Sequence, residues 1–279
     1  MYVSLNRALV AGGKLSWEEF ARLAAKTGYP GVDVALASAM REGAAATRSL
    51  LAGLRLRPAV IGLPVDTRKD EATFQGGLKR LPVAARFAAA IGCPRMTTWV
   101  MASSERPKAE QRQILKDRFT ACAEILGKHK VRLGLEFLGP LHLRKRFPYE
   151  FIYRMDEMLA FARECGPNVG LLLDSWHWYH AGATVEDILK AGQNGIVHVH
   201  VSDAPAGVPP EKVRDNERLM PGEGAIRWNA FFGALKRIGY EDGVSPEVLG
   251  RGLKTLRPED GARLGYSYTT DVMRKAGVL

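Results

Sequence analysis

The chain has 279 residues, 46% of them hydrophobic and 25% charged, with a formal net charge of +10. No apolar run reaches the ~18 residues that span a bilayer, and Arg7 interrupts the opening MYVSLNRALVAGG, so neither a membrane segment nor a signal peptide is expected. The cysteines, Cys93, Cys122 and Cys165, are widely spaced and fit no metal-binding pattern, which suits thiols that only pack and a cytoplasmic location.

Short aliphatic runs predict strands at residues 2–6, 31–36, 57–63, 95–100, 131–137, 169–174, 196–201 and 243–248. Amphipathic helical patterns lie between them. The first opens on Ser16 and Glu19, three apart as in a capping box, with Phe20, Leu23 and Ala24 on one side. In the helix before Cys93 the pattern is interrupted by Pro82. Further on, Leu115, Phe119, Cys122 and Leu126 form an apolar stripe, and Trp228, Phe231, Phe232 and Leu235 repeat it near the end. Strands alternating with helices predict an α/β protein whose parallel sheet is covered by helices. Eight units at this length fit a (β/α)8 TIM barrel, a single domain over residues 1–279. The competing doubly wound open sheet lacks a glycine-rich phosphate loop after the first strand.

Four late strands each deliver a potential metal ligand near the carboxyl end: Glu136, Asp174, His200 and Glu247. In a (β/α)8 barrel those ends meet on the face where active sites are built. Three carboxylates converging there would repel one another, and a divalent cation removes that conflict. Three oxygen donors and one imidazole suit Mn²⁺ first, with Mg²⁺, Co²⁺ or Zn²⁺ as alternatives. His198 shares a strand face with His200 and is read as a core histidine one layer deeper. His129 and His180 read as loop residues.

The motifs GLEFLG, VGLLLDSWHWYHAG, HVHVSDAP, RLMPGEGAI and SPEV resemble those of the sugar isomerase/epimerase superfamily of xylose-isomerase-like barrels, and within it the inosose (2-keto-myo-inositol) isomerases. The similarity is strongest over residues 131–250. The resemblance implies that Glu136, Asp174, His200 and Glu247 bind one divalent metal, and that Glu136 and Glu247 form the acid/base pair across the substrate. It also implies that His177 and Arg218 contact the substrate, beside the aromatic Trp176. Two positions depart from the superfamily's ketose 3-epimerases, which carry a substrate-binding glutamate where this chain has His142 and an arginine where it has Ala206. A free-ketose 3-epimerase is therefore not expected. Pro246 lacks a sheet donor, so the last strand is expected to end irregularly.

The expected reaction is isomerisation or epimerisation of a keto-sugar or keto-inositol, by proton abstraction beside a metal-bound carbonyl through an enediolate. The alternative is a lyase or dehydratase in which a substituent leaves from the same enolate. Phe137, Trp99, Trp176 and Trp178 are candidates for the pocket wall. Arg144-Lys145-Arg146, the densest basic cluster, falls in the loop after the fifth strand, where an acidic substrate could be read; the remaining positive charge is read as solvated surface. An apurinic-site endonuclease would need histidines from early strands, and none precedes His129, so no nucleic-acid partner is expected. The expected partner is a small carbohydrate or cyclitol, and homo-oligomerisation stays open.

Overall fold

The computed structural model describes residues 1–250 and 252–279. Eight parallel strands close into a barrel in chain order: β1 (Tyr2–Leu5), β2 (Gly31–Val34), β3 (Arg57–Gly62), β4 (Arg95–Val100), β5 (Arg132–Phe137), β6 (Val169–Asp174), β7 (Ile196–Val201) and β8 (Gly243–Pro246). Each pairs with the next, and Tyr2–Gly243 and Val3–Val244 close the ring. The outer layer is α1 (Trp17–Thr27), α2 (Ala44–Leu54), α3 (Glu71–Ala90), α4 (Lys108–Gly127), α5 (Met155–Cys165), α6 (Val185–Gly195), α7 (Trp228–Arg237) and α8 (Pro258–Lys275). This is a (β/α)8 barrel. No helix among the described residues is long and apolar enough to cross a membrane.

Local chemistry explains the elements. Ser16 Oγ accepts from the Glu19 amide and the Glu19 carboxylate accepts from the Ser16 amide, which starts α1 where the spacing predicts it. Leu115, Phe119, Cys122 and Leu126 line the inner face of α4, and Trp228, Phe231, Phe232 and Leu235 that of α7. Each large apolar side chain buried in this way contributes roughly 1.5–3 kcal/mol. The three thiols are free and buried, and burial pushes each up to about 12, so none is a nucleophile at neutral pH.

Two details differ from the sequence pattern. Pro82 does not break its helix, because α3 runs continuously through it and forgoes one backbone hydrogen bond. Nor does Pro246 disturb the last strand, whose register on β7 is regular from Val244 to Pro246. The Glu247 amide donates to Val201 O at 3.0 Å. Strand alternation therefore turns the Pro246 nitrogen toward β1, where pairing has already ended at Val3–Val244 and no donor is required.

The loops at the carboxyl ends carry further structure. Ser103–Ser104 and Tyr149–Glu150 form a small antiparallel ribbon that ties the loop after β4 to the loop after β5. A short helix, Ser175–His180, follows β6 directly. The loop after β5 lies against it at Gly139, where a Cβ would meet His177 O at 2.3 Å.

Candidate metal centre

Strand register sets the site. Asp174 pairs with His200 across β6 and β7, His200 pairs with Ser245 across β7 and β8, and Glu136 on β5 lies opposite Leu172. Side chains alternate along a strand, so this stagger brings Glu136, Asp174 and His200 into the barrel mouth, joined by Glu247 just beyond β8. One ligand atom from each of the four lies within 4.8 Å of the others. His200 Nδ1 is 3.9 Å from Glu136 Oε1 and 3.6 Å from Glu247 Oε2. The site thus draws together all four residues expected as metal ligands.

Asp174 serves two structures at once. Its Oδ1 accepts from the Trp176 amide at 2.7 Å and so caps helix Ser175–His180, while its Oδ2 faces the cluster and accepts from Arg218 Nη1 at 2.8 Å. Beside it, Ser175 Oγ donates to Ser202 O and accepts from the Ser202 amide, locking the ends of β6 and β7 together.

The electrostatics are those of a site with surplus negative charge. Burial, then Glu247 and Asp174, push Glu136 well above the usual carboxylate range. Burial also opposes ionisation of Glu247, but His200 and Arg218 outweigh it and hold that carboxyl low. For His200 burial favours the neutral ring, yet Glu247, Glu136 and Asp174 overcome it and lift the imidazole to about 10. Glu136 Oε1 and His200 Nδ1 are buried without any hydrogen-bond partner, and they face each other. Orphaned buried groups of this kind are costly unless something bridges them. A divalent cation satisfies both, and the donor set of three carboxylates and one imidazole suits Mn²⁺, Mg²⁺, Co²⁺ or Zn²⁺. The residues therefore fit the ion.

Arg218 is 2% exposed and binds Asp174, Glu247 and Asp215. Its Nη2 lies 3.2 Å from His177 Nε2. Because a guanidinium only donates, His177 Nε2 accepts and Nδ1 carries the hydrogen. That Nδ1 is buried and without a partner, and burial lowers His177 to about 4, so the ring is neutral. Trp176 does not sit at the cavity wall. It is 1% exposed, packed edge-on against His180 at 4.3 Å with Arg218 5.7 Å from its ring, so it supports Arg218 from behind. Phe137 and Trp178 are core residues as well, and of the candidate aromatics only Trp99 lines the mouth.

Some residues that support the site by hydrogen bonds have no clear signature in the sequence. Asp33, at the end of β2, accepts from Ser4 Oγ and Ser245 Oγ through Oδ1 and from Asn6 through Oδ2. Ser245 Oγ, spent as a donor on Asp33, accepts from His198 Nε2 at 2.9 Å, which makes His198 a hydrogen-bonded core histidine. Asp203 is fully buried and organises residues 202–227: it accepts from the Ala204 and Ile226 amides through Oδ1, and from the Gly222 amide and Trp228 Nε1 through Oδ2. Its backbone pairs with Leu219, next to Arg218. The SD pair of HVHVSDAP was the available signal for Asp203.

Two connected cavities open over the cluster. One, about 230 Å³, is lined by Asn6, Asp33, Trp99, Glu136, His200 and Glu247. The other, about 310 Å³, adds His177, Asp215 and Arg218 and shares Trp99, Glu136 and Glu247. A larger space of about 530 Å³ between α7 and α8 contains none of the clustered residues.

A family model for the xylose isomerase-like TIM barrel matches residues 14–272. Inosose isomerase of Bacillus subtilis (strain 168) is 30% identical over 171 residues, covering 60% of this chain and 58% of that protein. The match thus spans less than two thirds of that relative's length. A putative hydroxypyruvate isomerase of Homo sapiens is 28% identical over 248 residues, 83% of each chain. Among solved structures, a xylose isomerase domain protein from Alicyclobacillus acidocaldarius subsp. acidocaldarius superposes with a TM-score of 0.89 at 32% identity over 99% of both chains. IOLI protein, solved with a zinc atom bound, shares the fold at a TM-score of 0.84 and 22% identity.

Proposed function

The chain belongs to the xylose isomerase-like TIM barrel family, and from that premise we propose that it is a divalent-metal-dependent isomerase or epimerase of a keto-sugar or keto-inositol. One observation carries the reading: Glu136 and Glu247 converge on His200 beneath an open cavity, each with a carboxylate oxygen within 4 Å of His200 Nδ1. Relatives named inosose isomerase and putative hydroxypyruvate isomerase support the reaction class.

Glu136, Asp174, His200 and Glu247 would hold the ion, which when bound supplies Lewis acidity that polarises a ketone and acidifies the neighbouring C–H. Glu247, the more readily ionised carboxylate, removes that proton. Glu136 delivers a proton to the adjacent carbon for isomerisation or to the other face for epimerisation. His177, held as a neutral ring by burial and by Arg218 and lining the cavity, contacts a substrate oxygen. Arg218 keeps Asp174 and Glu247 aligned and offsets part of their charge.

The test is solvent deuterium exchange followed by NMR on a panel of keto-inositols and ketoses with added Mn²⁺. Glu136→Gln and Glu247→Gln are each expected to slow exchange about 10²–10⁴-fold. Full exchange in either variant would overturn the acid/base assignment. An alkene or a lost substituent among the products would identify elimination instead.

A further inference from the structure

The arginine cluster singled out in the sequence divides in the structure. Arg144 is engaged, bound to Glu150 at 2.9 Å and stacked on Tyr153 at 3.6 Å. Arg146 points elsewhere. It lines the 310 Å³ cavity over the metal cluster and also an adjoining cavity of about 280 Å³, and the two share Trp99, Met101 and Arg146.

That adjoining cavity is rich in arginine. Arg68, Arg106 and Arg146 line it against one carboxylate, Glu105. Arg68 sits over Trp99, its guanidinium carbon 3.8 Å from the ring centroid, and Trp99, which lines this space, is 38% exposed. Arg68 is paired with Asp66 and Arg106 with Glu110, both at 3.1 Å. Arg146 has no acidic partner among the described residues; its neighbour is the Phe147 ring at 5.7 Å. The wall is fixed by the ribbon Ser103–Ser104 with Tyr149–Glu150. Ser103 Oγ reinforces it, donating to Leu143 O and accepting from the Phe147 amide. Arg146 is exposed and lines both cavities, and a guanidinium with no carboxylate of its own is suited to bidentate recognition of an oxyanion.

The mouth therefore has two ends of opposite character. Glu136, Asp174 and Glu247 hold the cation end; across Trp99, the Arg146 guanidinium, unpaired among the described residues, attracts an anion, with the ion-paired Arg68 and Arg106 beside it. We propose that the substrate carries a carboxylate or phosphate at the end remote from its carbonyl, and that Arg146, with Arg68 and Arg106, forms the subsite that binds it. This rests on the isomerase reading for the carbonyl end and adds the chemical class of the rest of the molecule. It also fixes orientation, since a substrate with one charged end can lie across Trp99 in one direction only.

The experiment measures Kd by calorimetry for a matched trio, D-fructose, D-fructuronate and D-fructose 6-phosphate, with the Mn²⁺-loaded protein. The charged ligands are expected to bind about tenfold more tightly than fructose at low salt, with the ratio shrinking as screening increases. Arg146→Gln is expected to collapse the charged-to-neutral ratio, whereas Arg22→Gln, on the outer face of α1, leaves it intact. Preference for fructuronate alone or for the phosphate alone identifies which oxyanion is read. No preference in the parent, no binding by any of the three, or an undiminished ratio in Arg146→Gln overturns the subsite. Deuterium exchange in the parent reports the isomerase assignment separately: charge preference without exchange keeps the subsite and removes the isomerase reading, and exchange without preference does the reverse.

Discussion

Asp203 accepts four hydrogen bonds, three from amides of the segment that carries Arg218 and one from Trp228 at the start of α7. Replacing it with alanine leaves buried amides and an indole N–H without acceptors, each costing about 1–3 kcal/mol. Asp203→Ala is accordingly expected to lower stability by roughly 3–5 kcal/mol in urea unfolding, and to depress kcat/KM through Arg218. Asp203→Asn, which keeps one acceptor oxygen, is expected to fall between. His180 gives a test in pH. Burial, then His177 and Arg218, lower it to about 4, below the ordinary value of 6.5. The unfolded chain takes up that proton first as pH falls, so this contribution to stability is complete above about pH 6.5 and is lost progressively toward pH 4. His177 and His198 are lowered as well and add the same sign. Urea midpoints for His180→Gln are expected to fall less steeply over that range than those of the parent. At this scale the sequence revealed residues that end strands in recognisable motifs and missed those whose role is tertiary. Asp33 reads as one polar position in a short strand, and its acceptance from Ser4, Asn6 and Ser245 joins strands more than 200 residues apart.

Elements defined by local periodicity were legible, because alternation and capping act within a few residues. Strand bounds agree to within two residues, and β6 and β7 span the predicted stretches. What was not legible depends on distant pairing. The ribbon between Ser103–Ser104 and Tyr149–Glu150 has two residues per strand and no pattern of its own, yet it shapes the wall beside Trp99. Pro82 is the converse: a local break signal overridden by tertiary burial of Leu81, Ala84 and Ala85 on the inner face of α3. Restoring the missing donor with Pro82→Ala is expected to stabilise the protein by about 1–3 kcal/mol, seen as a higher Tm with unchanged deuterium exchange. A lower Tm would mean that the helix is shaped around the ring.

For the whole molecule, the late strands gather the ligand set while the early half supplies the supporting polar network and the Trp99 wall. An ion that binds only the closed barrel stabilises it by mass action, about 2.7 kcal/mol at a hundredfold excess over Kd. Mn²⁺ is expected to raise Tm and a chelator to reverse the rise, and Glu136→Gln is expected to diminish the response. A Tm indifferent to divalent ions in the parent would remove the metal from the proposal.

Asp174 carries one more implication. Its carboxylate is immobilised by the helix it caps, so the rotational freedom lost in orienting this donor is surrendered when the backbone forms and does not weaken ion capture. An asparagine there keeps the capping oxygen but removes both the charge and the acceptor that Arg218 uses, so the helix cap would survive a change that strips position 174 of its hold on the cation and on Arg218.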